Sequence, residues 1–92
     1  MSECMRKLYS TPSFDSAIKA FSRRNQQYTD KIKKTLKKLE QDIFNPSLDT
    51  HKLHGELKDF YACKVSYELR ILFTFDEKSV ILQDIGTHDQ IY

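Results

Sequence analysis

The sequence predicts an α+β fold in which an N-terminal helical hairpin packs on an antiparallel β-sheet. Three observations carry that expectation. An apolar stripe at helical spacing runs through residues 28–43, and a strict two-residue alternation runs through 61–75. A break near Asp49 separates the two regimes, so helices come first and strands follow. With 92 residues, 39% of them hydrophobic and 12% aromatic, the chain has the mass for one compact core. A single domain over residues 1–92 is expected.

Met5 to Tyr9 reads as a short first strand, ended by Ser10-Thr11-Pro12. Ser13 is the expected N-cap of a first helix, with Asp15 in its first turn. Phe14, Ile18 and Phe21 recur at helical spacing, joined by Ala17, and Arg23-Arg24-Asn25 closes the helix. The second helix is clearer. Tyr28, Ile32, Leu36, Leu39 and Ile43 fall at i, i+4, i+8, i+11 and i+15, one continuous stripe. Asn45-Pro46 is its expected stop, since proline cannot continue the hydrogen-bond ladder. Two such helices joined by a short turn form an antiparallel hairpin.

Every odd position from Tyr61 to Phe75 is apolar, whereas the even positions include Lys64, Ser66, Glu68 and Arg70. Period-2 alternation marks strands with one buried face. Fifteen residues exceed a typical strand, so a tight turn is expected near Ser66 to Glu68. Asp76-Glu77-Lys78-Ser79 supplies a second turn, and Val80 to Ile85 the last strand. The chain then ends Gly86-Thr87-His88-Asp89-Gln90-Ile91-Tyr92, an irregular terminus at a sheet edge. Its Ile and two ring side chains argue that it is docked, and the edge of a rigid scaffold is where chemistry is usually presented.

Several function classes are excluded or disfavoured. No apolar run approaches the roughly 18–20 residues of a membrane span, and the start carries no apolar stretch of signal-peptide type. A cytoplasmic protein without membrane association is expected. Cys4 and Cys63 have no metal-binding spacing and make no disulfide framework, so Cys63 is expected to be a buried, reduced thiol. His51 and His54 form a His-x-x-His pair, but His51-Lys52-Leu53-His54-Gly55 reads as a loop without the matching cysteine or carboxylate of a zinc site. No metal or cofactor is expected.

The net charge is only +2, yet between Lys19 and Lys38 eight basic residues stand against one acid, Asp30. Most charged helix faces are simply solvated; at this density the face also suits a nucleic-acid backbone, with Lys34, Lys37, Lys38 and Lys52 as candidate RNA contacts. If the odd strand residues pack on the helices, Lys64, Glu68 and Arg70 share the opposite face, and the last strand delivers His88 to one end of it. That set is either a solvated ion pair or the kit for cleaving an RNA phosphodiester. Cleavage needs a base for the 2′-OH, a cation for the phosphorane and an acid for the leaving 5′-oxygen. Glu68 or a histidine suits the base, Arg70 and Lys64 the charge, and His88 the acid. Tyr92 is placed to stack on a base or orient the phosphate.

These residues also carry a family resemblance. The segments His51 to Phe60, Tyr67 to Phe73 and Gly86 to Tyr92, in that order and spacing, resemble the RelE/ParE superfamily of bacterial toxins. The likeness is greatest to the YafQ branch, covers nearly half of the chain closely, and extends to the two-helix half only in pattern. It implies the compact RelE-like microbial RNase fold and a toxin of a type II toxin–antitoxin module. It further implies ribosome-dependent cleavage of mRNA in the A site, a cognate antitoxin and a toxin–antitoxin hetero-oligomer. By the resemblance, His51 matches a histidine near the active site, Glu68 an acidic residue, His88 the catalytic histidine and Tyr92 a C-terminal aromatic. Arg70 matches the strand arginine of RelE-like toxins. Three positions depart: Lys64 replaces a histidine, Leu69 a tryptophan and Asp84 an arginine, the last putting a carboxylate in reach of pairing with Arg70. A ParE-like gyrase inhibitor on the same fold, or a degenerate homologue that only binds its antitoxin, are the competing readings. ParE-like proteins generally lack the terminal histidine–aromatic pair.

Overall fold

A computed structural model describes residues 5–55 and 59–91 of the chain. Cys4 and Tyr92 therefore lie outside the described residues. Strand β1 (Lys7–Ser10) is followed by helix α1 (Pro12–Arg24), a 3-10 turn (Gln26–Tyr28) and helix α2 (Thr29–Gln41). A second 3-10 turn (Pro46–Leu48) leads to β2 (His51–Lys52), β3 (Tyr61–Lys64), β4 (Leu69–Phe75), β5 (Ser79–Thr87) and a terminal helix, α3 (His88–Ile91). The five strands form one sheet in the order β1-β5-β4-β3-β2. Every pairing from β5 to β2 is antiparallel, as expected, whereas β1 joins β5 in parallel.

The first helix starts two residues earlier than Ser13 suggests. Thr11 is the N-cap, its Oγ1 accepting from Phe14 N at 3.1 Å, and Pro12 takes the first helical position, where its missing N–H is no loss. The same threonine donates through N and Oγ1 to Leu82 O, which ties the helix start to the central part of β5. Between the helices, Tyr28 packs on Phe21 with ring centroids 5.6 Å apart. Helix α2 ends at Gln41, four residues before Asn45, because Asp42 turns extended (φ −165°, ψ 101°). Ile43 still reaches the core from that turn, so the apolar stripe outlasts the helix. Pro46 opens the next 3-10 turn instead of terminating α2.

Phe14 of α1 and Ile32 and Leu39 of α2 share one buried cluster with Cys63, Leu69, Ile71, Phe73, Val80, Leu82 and Ile85. The odd residues of β3 and β4 thus face the helices, as the alternation requires. In β5 the buried apolar side chains fall at 80, 82 and 85, a break in period that a β-bulge absorbs. Leu72 pairs with Asp84 but Phe73 with Leu82, leaving Gln83 as the extra residue. Without that bulge, one half of β5 would turn its apolar residues away from the helices.

The even face is less open than expected. Ala62 and Leu72 join Leu53 and Ile91 in a second, smaller buried cluster, with Phe60 at its border. Helix α3 therefore docks on the face opposite α1 and α2, and the terminus that read as irregular is a helical turn held by Ile91. His51-Lys52, read as loop, is a two-residue strand pairing Ala62 and Tyr61.

Cys63 is buried and free. Burial pushes its thiol up from 9.0 to about 12, while a backbone hydrogen bond with Ile71 and the nearby Arg70 charge pull it down. Between those values the folded chain holds a proton that the unfolded chain has released, so stability falls as pH rises through that window. In a Cys4→Ser background, alkylation of Cys63 should proceed only at the rate of global unfolding, and Cys63→Ala should flatten the alkaline decline in stability. Rapid labelling of native protein would contradict this burial.

Candidate active site

The site forms where the loop between β3 and β4 meets the end of β5. Val65 N and Ser66 N both donate to Leu69 O, at 2.9 and 3.3 Å, and Leu69 N donates to Ser66 Oγ at 3.3 Å. These bonds make the hairpin turn that the length of the alternating run demands. Arg70, the second residue of β4, donates through an Nη to Ser66 O, so its guanidinium locks the turn from below. It is only 9% exposed, which no solvated ion pair would be.

Register then sets the electrostatics. Arg70 pairs with Lys64 on one side and Gly86 on the other. Two cations directly opposite on one sheet face repel each other, a destabilising arrangement that a bound anion would relieve. Asp84 does not supply that anion by pairing. It lies opposite Leu72, its Oδ1 accepts from Ile85 N at 2.8 Å, and it lines a different hollow with Arg23 and Arg24.

His88 is the first residue of α3. Its N–H donates to Glu68 O at 2.6 Å, joining the backbones of the two acid–base candidates, and its Nδ1 stands 3.8 Å from Asp89 Oδ1. A capping box holds the turn: Thr87 Oγ1 accepts from Gln90 N at 3.4 Å, and Gln90 Oε1 accepts from Thr87 N at 2.9 Å. Gly86 makes that fold-back possible, because a Cβ there would sit 2.7 Å from Gln90 Oε1. Gly-Thr-His is thus a compact device: close approach, cap, then the candidate acid–base ring on the first helical residue.

Tyr67, Glu68, Arg70, Thr87, His88 and Asp89 line a recess of about 290 Å³. A larger hollow of about 650 Å³ lies between α1 and β5, but its charged lining is Arg23, Arg24 and Asp84, with no histidine. Acid–base chemistry near neutral pH therefore points to the smaller recess. Of the residues singled out in the sequence, Glu68, Arg70 and His88 come together there. Lys64 is beside them as the cross-strand neighbour of Arg70. His51 pairs with Ala62, so it shares their face but sits at the outer edge of the sheet, its Nδ1 3.0 Å from Asp49 O. Lys52 belongs to the row of Tyr61 and Phe73, on the helix side. Lys34, Lys37 and Lys38 ride on α2, likewise across the sheet from the recess, and Lys38 Nζ donates to Ser47 Oγ at 2.9 Å. Tyr67 and the Thr87–Gln90 box were not foreseen. The Thr-x-x-Gln spacing was legible as a helix start.

Solved structures with the same fold are numerous. YafQ from Escherichia coli strain BL21(DE3) superposes with a TM-score of 0.81 at 16% identity, covering 95% of this chain and 98% of that one. The E. coli DinJ-YafQ toxin–antitoxin complex gives 0.79 at 17%, covering 96% and 98%. A YoeB/ParE toxin from Agrobacterium tumefaciens gives 0.74 at 15%, covering 89% and 98%. No individually curated protein matches significantly in sequence. The fold is thus that of small bacterial toxins of the YafQ and YoeB/ParE kind. A family model described as "Bacterial toxin of type II toxin-antitoxin system, YafQ" matches residues 6–92, and the chain belongs to that family.

The capping box yields a direct test. Gln90→Ala should cost about 1 kcal/mol of local stability and speed hydrogen exchange at the Thr87 amide by roughly fivefold to tenfold. Gly86→Ala, which displaces Gln90, should do the same, whereas Gln90→Glu should keep the protection. Unchanged exchange in all three variants would mean that α3 is held by Ile91 alone.

Proposed function

We propose that this toxin is a ribosome-dependent mRNA endonuclease that cuts in the A site and so blocks translation. The observation that carries the reading is the in-register pair of cations, Lys64 and Arg70, beside a recess that also holds Glu68 and His88. A phosphodiester brings the anion that this pair lacks, and the two acid–base groups flank it. Glu68 takes the proton of the 2′-OH, and the 2′-oxygen attacks phosphorus. Arg70 and Lys64 stabilise the added charge of the phosphorane, with the arginine held in place by Ser66 O. The bond from phosphorus to the 5′-oxygen breaks, and His88 gives that oxygen a proton. The products are a 2′,3′-cyclic phosphate and a 5′-hydroxyl, and side chains supply every group the reaction uses. His51 borders the path of the strand from the sheet edge, and Tyr92 is assigned its aromatic role by the family resemblance.

The placement of Asp84 away from Arg70 supports a working site over a degenerate one. Lys34, Lys37, Lys38 and Lys52, across the sheet from the recess, act through long-range attraction to RNA and not at the scissile phosphate. A cognate antitoxin is the further partner, supported by the DinJ-YafQ complex of the E. coli relative. A segment that folds over the toxin on binding would cover both the recess and the basic face, giving a hetero-oligomer. Among the described residues no helix is long and apolar enough to cross a membrane, in keeping with a single toxin domain acting on cytoplasmic ribosomes.

Primer extension on mRNA held in programmed ribosomes tests this reading. Wild-type protein should give a new stop within the A-site codon and none on naked RNA. His88→Ala should lower cleavage at least about a hundredfold, and Arg70→Ala by a comparable factor. Both variants should relieve growth arrest while staying folded. Full toxicity in both, or no cleavage by well-folded wild type, would defeat the proposal and make gyrase supercoiling the next assay.

A further inference from the structure

The geometry points to Tyr67 as a nucleobase-stacking subsite, a platform that holds the base of a nucleotide next to the scissile phosphate. The ligand class rests on the endonuclease reading above; the placement of the ring does not. Tyr67 occupies the four-residue turn between β3 and β4, and that turn is pinned on both sides. Val65 N and Ser66 N bond to Leu69 O, Leu69 N bonds to Ser66 Oγ, Arg70 bonds to Ser66 O, and Glu68 O receives His88 N. The backbone is fixed, yet the ring is 86% exposed, more than any other exposed large hydrophobic side chain among the described residues. Phe44, the next comparable ring, packs edge-on against Tyr61 and Phe75. Tyr67 instead borders the recess shared by Glu68, Arg70 and His88.

A solvent-facing ring carried on a pinned turn, beside an anion-seeking guanidinium, is the pairing that single-stranded nucleic acid uses: phosphate to the cation, base to the π-face. Stacking tolerates any base, so Tyr67 contributes binding and orientation more than base choice. At about 290 Å³ the recess is at the small end of ligand sites, suited to part of one nucleotide and not to a folded partner. A hydrophobic peptide covering the ring is the competing occupant.

The chain contains no tryptophan, so Tyr67→Trp creates a single fluorescent reporter at the subsite. A 2′-O-methyl RNA oligonucleotide, which cannot be cut, should quench that indole saturably, and a strand of the same length that is abasic at every position should not. In the ribosome assay, Tyr67→Leu should lose roughly fivefold to hundredfold in kcat/KM with its melting temperature unchanged, a loss that the aromatic replacements Tyr67→Phe and Tyr67→Trp should largely rescue. Equal quenching by the abasic strand, no quenching by either strand, or full activity in Tyr67→Leu would overturn the subsite. If wild type fails to cut but the indole is still quenched by the base-bearing strand alone, the endonuclease reading falls and the subsite stands.

Discussion

Strand β4 is the constraint on which the rest depends. Leu69–Phe75 is paired along both edges, to β3 and to β5, so its side chains have only two directions available. Leu69, Ile71 and Phe73 enter the helical core. Arg70 is left on the other face, nearly buried, opposite Lys64 and against Gly86. Burial of three large apolar side chains, each worth about 1.5–3 kcal/mol, thereby fixes where a cation stands. A register slip of one residue would put the guanidinium into the core, so fold and site cannot be varied independently.

The active-site candidates are then joined through backbone, which makes the arrangement precise without long polar side chains packing on one another. Ser66 O receives Arg70, and Glu68 O receives His88 N. One short loop thus connects β4, β5 and α3, and carries Tyr67 at its surface. Beyond the end of β5, the Thr87–Gln90 box and Ile91 hold α3 down. The C-terminal helix is too short to be stable alone; it exists because both its cap and its single buried residue engage the sheet.

Legibility in the sequence followed the range of the interaction. The period-2 run from Tyr61 announced β3, β4 and their turn, and with them the shared face of Lys64 and Arg70. The stripe from Tyr28 announced α2, though not its end, because Ile43 keeps the spacing although the backbone has already left the helix at Asp42. Parallel pairing of β1 with β5 left no local mark, being a contact between residues 72 positions apart, such as Lys7 and Ser79. The bulge at Gln83 was written in the spacing Val80, Leu82, Ile85, but its meaning depends on the partner strand. Among basic residues, number was visible and direction was not: Lys52 and the α2 lysines lie across the sheet from Arg70, a fact set by register and packing. In the Gly-Thr-His ending only the histidine is legible from residue type, because the parts played by the glycine and threonine depend on Gln90 folding back onto them.

The chemistry of the cut ends tests the central claim most directly. On the proposed mechanism, attack by the 2′-oxygen, with Glu68 and His88 moving the protons, would leave the upstream mRNA fragment with a 2′,3′-cyclic phosphate and the downstream fragment with a 5′-hydroxyl. Mass spectrometry of fragments released from programmed ribosomes should find those ends, and they should be lost with His88→Ala. A 3′-hydroxyl paired with a 5′-phosphate would mean that water or another nucleophile attacks the phosphorus, and the roles assigned to this recess would be wrong.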